Sequence, residues 1–115
     1  MTTTNRDLLA RTMTESQLQR SVIEMARTFG WRIHHCRPGM DRKGRWATPI
    51  QGDAGFVDLI LLRGGRAMAV ELKSERGRLT WQQEEWLAAF RETGCETYVW
   101  QPRNWLAGEC EAVLK

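Results

Sequence analysis

The sequence predicts an α/β fold: a single domain with a four-stranded mixed sheet flanked by helices, in the order α-β-β-β-α-β-α. Two T-x-x-Q capping boxes, at residues 14–17 and 80–83, each open a segment with helical character. A Gly-Gly pair at 64–65 lies between two apolar runs, which predicts a tight β-hairpin. A chain of 115 residues has room for one hydrophobic core, so we expect one domain.

The N-terminal part is predicted to contain a tail and one helix. Residues 1–13 are polar and are expected to form a flexible tail, so that the folded domain spans 14–115. Thr14 is the expected N-cap of a helix over 15–29. The apolar face of that helix is formed by Leu18, Val22, Met25, Ala26 and Phe29.

The rest of the chain alternates strands and helices. Residues 31–36 have the period-two character of a strand. Residues 37–55 hold two prolines, four glycines and a basic cluster, which is typical of a long irregular loop. The remaining predicted elements are strands over 56–62 and 67–73, a helix from Thr80 to Thr93, a strand over 96–101 and a terminal helix over 103–114.

The Gly-Gly turn also predicts the register of the hairpin. If the two glycines form the loop, Arg63 pairs with Arg66, and Asp58 then lies directly opposite Glu71. One face of the hairpin is expected to carry Val57, Leu59, Leu61, Met68, Val70 and Leu72. The other face carries Ile60, Leu62, Ala67 and Ala69 beside the two acids, so helices should cover both faces.

Two facing acids at the end of a buried hairpin require compensation. Asp58 and Glu71 repel each other, and partial burial adds a desolvation cost. Lys73 shares their face and offsets one charge, and Mg²⁺ bound by both carboxylates would offset the rest. The alternative is that both acids are ordinary charged residues at a solvated strand end.

The first helix offers a third acid. Glu15 and Gln19 fall on or beside its buried face, whereas Glu24 falls on the opposite side. Glu15 would then face the sheet near the two acids. The alternative is that Glu15 only complements the helix dipole in the first turn.

Three further side chains have two interpretations each. Gln83 completes the second capping box, which explains it structurally, but it could also point from the helix N-terminus toward the acids. His34 and His35 are neighbours on one strand and face opposite ways. One of them could lie near the acids, but both cannot bind one metal.

Composition and charge narrow the class of protein. No run approaches the length of about 18 apolar residues that a membrane span needs, and the polar N-terminus lacks a secretory signal, so we expect a cytoplasmic protein. Three widely spaced cysteines support neither disulfides nor a zinc site. The net charge is +3, and residues 37–45 alone carry a local +3, which suggests a polyanionic partner.

These residues resemble a known family. Asp58 followed by Glu71-Leu-Lys73 is similar to the D…(D/E)-x-K core of the PD-(D/E)XK nuclease superfamily. The helix pattern Thr14-Glu15…Gln19 and the segment Arg78-Leu-Thr-Trp-Gln-Gln83 narrow the resemblance to stand-alone VRR-NUC domain proteins of phages and bacteria. The resemblance runs from Thr14 to Trp105 and implies a restriction-endonuclease-like core. The family commonly has proline where this chain has Val57, a difference outside the chemistry.

The resemblance implies an endonuclease that uses Mg²⁺ or Mn²⁺ and no small-molecule cofactor. Asp58, Glu71, the backbone carbonyl of Leu72 and Glu15 would hold the metal. Lys73 would orient the attacking water, and Gln83 matches a glutamine that recurs near the site. The substrate would be branched DNA, most simply a four-way (Holliday) junction, cut by a homodimer.

Basic and polar residues near the site are the candidates for DNA contact. They are Gln19, Arg37, Arg42, Lys43, Arg45, Arg76 and Arg78.

Three alternatives stay open at this point. The same site could serve a flap or nicking endonuclease. The protein could be an inactive, structure-specific DNA-binding protein, although the four charged site residues are intact. A small interaction protein without a nucleic-acid role would leave the paired acids and the basic loop unexplained.

Overall fold

A computed structural model describes residues 3–36, 39–40, 46–47 and 52–115, with the backbone alone for 39–40 and 46–47. The helices are α1 (Asn5–Thr12), α2 (Glu15–Thr28), α3 (Trp81–Glu92), α4 (Pro102–Leu106) and α5 (Glu109–Leu114). The strands are β1 (Arg32–His35), β2 (Gly39–Met40), β3 (Trp46–Ala47), β4 (Leu59–Arg63), β5 (Arg66–Leu72) and β6 (Glu96–Trp100). None of the helices within these ranges has the length and apolar character that crossing a membrane requires.

The predicted four-stranded mixed sheet is confirmed. Its strand order is β1-β4-β5-β6. The pairs β1–β4 and β4–β5 are antiparallel, and the pair β5–β6 is parallel. Arg63 pairs with Arg66 and Leu59 with Val70, which is the predicted register. Gly64 and Gly65 have φ angles of 50° and 81°, the left-handed region that a tight hairpin turn requires.

Helices cover both faces of the sheet. On one face, α2 and α5 bury the larger cluster, which includes Leu59, Leu61, Met68, Val70 and Leu72 of the sheet. On the other face, α3 contributes Leu87 to a smaller cluster with Val57 and Ala69. Asp58 directly precedes β4 and Glu71 lies near the end of β5, so both acids lie at the open end of the hairpin.

Four predictions of local structure need correction. Residues 5–12 of the supposed tail form α1, which a Thr4–Asp7 capping box starts and whose Ala10 is buried. The predicted loop over 37–55 contains the short antiparallel pair β2–β3. The terminal helix is divided into α4 and α5, because Gly108 adopts a positive φ of 79° between them.

The fourth correction concerns Val57. It was expected beside Leu59 and Leu61, but it packs with the α3 cluster on the opposite face. The reason is that β4 begins at Leu59, so alternation of side chains does not extend back to Val57.

Arg63 ties the C-terminal segment to the sheet. Its guanidinium donates to the carbonyl oxygens of Phe29 at 2.9 Å and Leu114 at 3.0 Å, and to that of Lys115 at 3.3 Å. It also lies 4.4 Å from the ring centroid of Trp31, whose indole N–H donates to the Leu114 carbonyl at 2.8 Å. One side chain thus joins β4, the end of α2 and the end of α5.

Replacing Arg63 with alanine is expected to lower the free energy of unfolding by about 2 kcal/mol, because several carbonyl groups lose a charged donor. Urea denaturation monitored by circular dichroism measures the change. Arg91→Ala, at an exposed arginine of α3, is the control and should shift stability by less than about 0.5 kcal/mol. Equal stabilities of the two variants would contradict this role of Arg63.

Candidate active site

Asp58 is anchored through both its backbone and its side chain. Its carbonyl oxygen accepts the Cys36 amide N–H at 3.2 Å, which extends the pairing of β1. Its Oδ2 accepts the Leu72 amide N–H at 2.7 Å, across to the end of β5. The carboxylate is therefore held beside Glu71 at the end of β5, although Asp58 itself lies one residue before the first paired residue of β4.

Glu71 is the one charged residue in the buried core of the described chain, with 1% of its surface exposed. Its Oε1 accepts a hydrogen bond from Gln83 Nε2 at 3.2 Å. Its Oε2 is buried and has no hydrogen-bond partner among the described residues. Burial first, and then interaction with the Asp58 carboxyl, raises the pKa of Glu71 to about 9.

Glu15 and Lys73 complete the electrostatic cluster. Glu15 is exposed at the first position of α2, and desolvation together with the charge of Asp58 raises its pKa. The positive charge of Lys73 acts in the opposite direction on the pKa values of both Glu15 and Glu71. The four charged groups predicted from the sequence thus lie within electrostatic range of one another.

Gln83 has both of the roles that the sequence left as alternatives. Its Oε1 accepts the Thr80 amide N–H at 2.9 Å, which closes the capping box. Its Nε2 donates to Glu71 at the same time. A single amide group therefore starts α3 and orients the buried carboxyl.

The remaining predicted residues lie around this cluster or outside the described ranges. Gln19 Nε2 lies 3.4 Å from His35 Nδ1, and His34 is exposed on the other face of β1. Arg76 and Arg78 are exposed between β5 and α3. The other predicted DNA contacts, Arg37, Arg42, Lys43 and Arg45, lie outside the described residues.

Gly55 was not identified as a site residue from the sequence. It has a φ of 91°, and a Cβ there would lie 2.6 Å from Gln82 Cβ and 2.7 Å from the Gln82 carbonyl carbon. The Trp86 indole N–H fastens the same segment by donating to the carbonyls of Asp53 at 3.2 Å and Ala54 at 3.1 Å. The chain leading into Asp58 is thus packed directly against the start of α3. A glycine three residues before the key aspartate was the available signal.

The residues present fit a divalent cation that prefers oxygen ligands. Two adjacent carboxyl groups, one with an unpartnered buried oxygen, face a single lysine charge. Mg²⁺ and Mn²⁺ take such ligands and would favour the ionised form of both acids. Within the described ranges, no three His, Cys, Asp or Glu side chains form a metal-ligand cluster, so water or backbone oxygens would have to complete the shell.

Comparison with known proteins gives two matches. The sequence model of the VRR-NUC domain matches residues 35–104, more than half of the chain. A solved structure described as a VRR_NUC domain matches with a TM-score of 0.59 and 22% identity, covering 86% of this chain and 97% of that chain. At this identity, the structural match supports the fold. No curated protein matches the sequence.

Replacing Glu71 with glutamine is expected to stabilise the metal-free protein at pH 8 by about 1–3 kcal/mol. The folded-state pKa is raised above the unfolded value near 4.5, so this group stabilises the fold fully below pH 4.5. That contribution is lost as pH rises toward 9, and the neutral amide does not lose it. Denaturation at several pH values with chelator present measures the difference, with Glu85→Gln as the exposed control. Parallel pH profiles for wild type and Glu71→Gln would contradict the raised pKa.

Replacing Gly55 with alanine is expected to cost about 2–4 kcal/mol, from backbone strain and from the clash with Gln82. Gly65→Ala is the matched control, because it has a positive φ of 81° but no atom within 4 Å of the added Cβ. Urea denaturation of both variants separates the clash from the strain. If both variants lose the same stability, the packing of Gly55 on α3 is unimportant.

Proposed function

We propose that this protein is a divalent-metal-dependent endonuclease selective for branched DNA. The proposal starts from the finding that the chain belongs to the VRR-NUC domain family of nuclease domains. The four-way junction is the substrate that we propose first. The observation that carries the proposal is the buried Glu71 carboxyl, placed beside Asp58 with one oxygen unpartnered. Such a group is costly to bury unless a cation or proton accompanies it.

Asp58, Glu71 and the backbone carbonyl of Leu72 are the proposed ligands of Mg²⁺ or Mn²⁺, with Glu15 joining through water. A bound ion of this kind lowers the pKa of its water and polarises the phosphate. The Leu72 amide keeps Asp58 in place, and Gln83 keeps Glu71 in place, so neither carboxylate has to be ordered when DNA binds.

Lys73 has a separate task in this proposal. Its ammonium group would donate a hydrogen bond to the attacking water and offset the charge that builds on the phosphate. In-line attack on phosphorus breaks the bond to the 3′ oxygen. The products are a 3′-hydroxyl and a 5′-phosphate.

Phosphate contacts position the DNA over this site. Arg76 and Arg78 are exposed three and five residues after Lys73, and Gln19 lies on α2. We propose that the predicted arginines and lysine at 37–45 add further contacts. A homodimer would place two such sites on one junction, which accounts for how a 115-residue chain could cut two strands.

Cleavage of a labelled four-way junction tests the proposal, with a flap and a linear duplex compared in parallel. Paired nicks in Mg²⁺ or Mn²⁺ are expected from the wild type, and chelator should abolish them. Asp58→Asn should lower the cleavage rate by more than about 100-fold, because it removes a ligand charge. Asp53→Asn is the control, since it removes an exposed acid on the same loop, five residues before Asp58 and outside the proposed ligand set.

Each other outcome selects an alternative. Cleavage of the flap alone keeps the site and changes the substrate. Tight junction binding that survives chelation, without any cleavage, would identify an inactive binding protein. Failure to bind DNA at low salt would remove the nucleic-acid role altogether.

A further inference from the structure

Trp81 differs from the other tryptophans whose side chains the structure describes. Trp31 and Trp86 donate hydrogen bonds to backbone carbonyls, Trp100 stacks on a tyrosine, and Trp105 packs against the larger core cluster. Trp81 is 65% exposed and has no hydrogen-bond or ring partner among the described residues. A large indole left in solvent is a surface available to a ligand.

The position of Trp81 relates it to the candidate active site. It is the first residue of α3, and Gln83 in the same turn contacts Glu71. Trp81 points away from the buried side of the helix that carries Leu87, as its exposure shows. Side chains tilt toward the helix N-terminus, which is the end nearest the acids. At about 100° per residue, Trp81 lies about 200° from Gln83, so the indole stands in the same turn as the contact with Glu71 but on the outer side of the helix.

The chain between Lys73 and Trp81 has the charge of a nucleic-acid contact. Arg76 and Arg78 are both exposed there. The one acid in this connection, Glu75, is already engaged with Arg103, through a 3.0 Å ion pair and a hydrogen bond from the Arg103 amide N–H. The two arginines thus present positive charge on the approach to the indole.

The acids of α3 limit the direction of approach. Glu84 and Glu85 are exposed three and four residues after Trp81, on the next turn. They repel a phosphate on that side of the ring. A nucleic-acid strand would therefore place its phosphates along the arginines and a base over the indole.

We propose that Trp81 is a substrate-positioning residue that stacks on an unpaired base of the DNA next to the scissile phosphate. This inference rests on the proposed function and specifies its substrate: DNA in which a base near the cut is unstacked, as at a branch point. A continuous duplex covers the faces of its bases with their neighbours. Aromatic stacking accepts any base, so the residue selects structure rather than sequence.

Binding and kinetics of three variants test the inference. Trp81→Ala is expected to raise the dissociation constant for a four-way junction, measured by fluorescence anisotropy in chelator, by about 5- to 100-fold. KM should rise by a similar factor, while kcat at saturating DNA stays within about threefold. Trp81→Phe should recover most of the affinity. Leu62→Ala is the matched control, because it removes an exposed apolar side chain of 46% accessibility near the other end of β4.

An abasic scan of the junction identifies the stacked base. One abasic position near the cut should weaken wild-type binding by the same factor as Trp81→Ala, and should weaken the variant no further. The inference would be overturned if no abasic position weakened wild-type binding and Trp81→Ala bound the junction with the wild-type dissociation constant. Metal-dependent cleavage by the wild type would then still support the nuclease proposal. Loss of a dimer in Trp81→Ala, measured by sedimentation, would assign the indole to an interface between copies and also overturn it. A wild type that neither cuts nor binds DNA would instead remove the function on which the inference rests.

Discussion

Gly64 and Gly65 turn the chain in two residues, and the left-handed angles that they adopt leave one way to pair the strands on either side. A slip by one residue would send every side chain of the hairpin to the other face. Leu59, Leu61, Met68 and Val70 would then leave the core, so the apolar pattern holds the same register. Because that register is fixed, Asp58 reaches the end of β5.

The hairpin of β4 and β5 holds Asp58 and Glu71 close together although their carboxylates repel each other. The buried carboxyl of Glu71 stabilises the metal-free fold only while it holds a proton, as its raised pKa indicates. The surrounding sheet compensates with buried apolar area and with backbone groups that fix Asp58. A divalent cation that binds both carboxylates would relieve their repulsion. The pair that destabilises the metal-free fold is therefore also the pair that would bind the cation.

The sequence predicted the sheet and the hairpin register from turn chemistry and from alternation. It also predicted that Asp58 and Glu71 converge, because Asp58 directly precedes the paired strand β4. It did not predict that Val57 changes face, since alternation ends where the ladder ends. The contact of Gly55 with α3 joins residues 27 positions or more apart, and no local pattern encodes it. The double role of Gln83 was visible as two alternatives, and only tertiary packing could show that they coexist.

The two core clusters differ in size, which has a consequence for how the molecule opens. Detaching α3 uncovers the small cluster around Val57, Ala69 and Leu87, whereas detaching α2 or α5 disrupts the large one. Amide hydrogens of α3 should therefore exchange with solvent through a local opening, well before those of β4 and β5 exchange through global unfolding. On slow timescales, α3, which carries Gln83, is thus the more mobile side of the site. The strands β4 and β5, at whose ends the acids lie, are the rigid side.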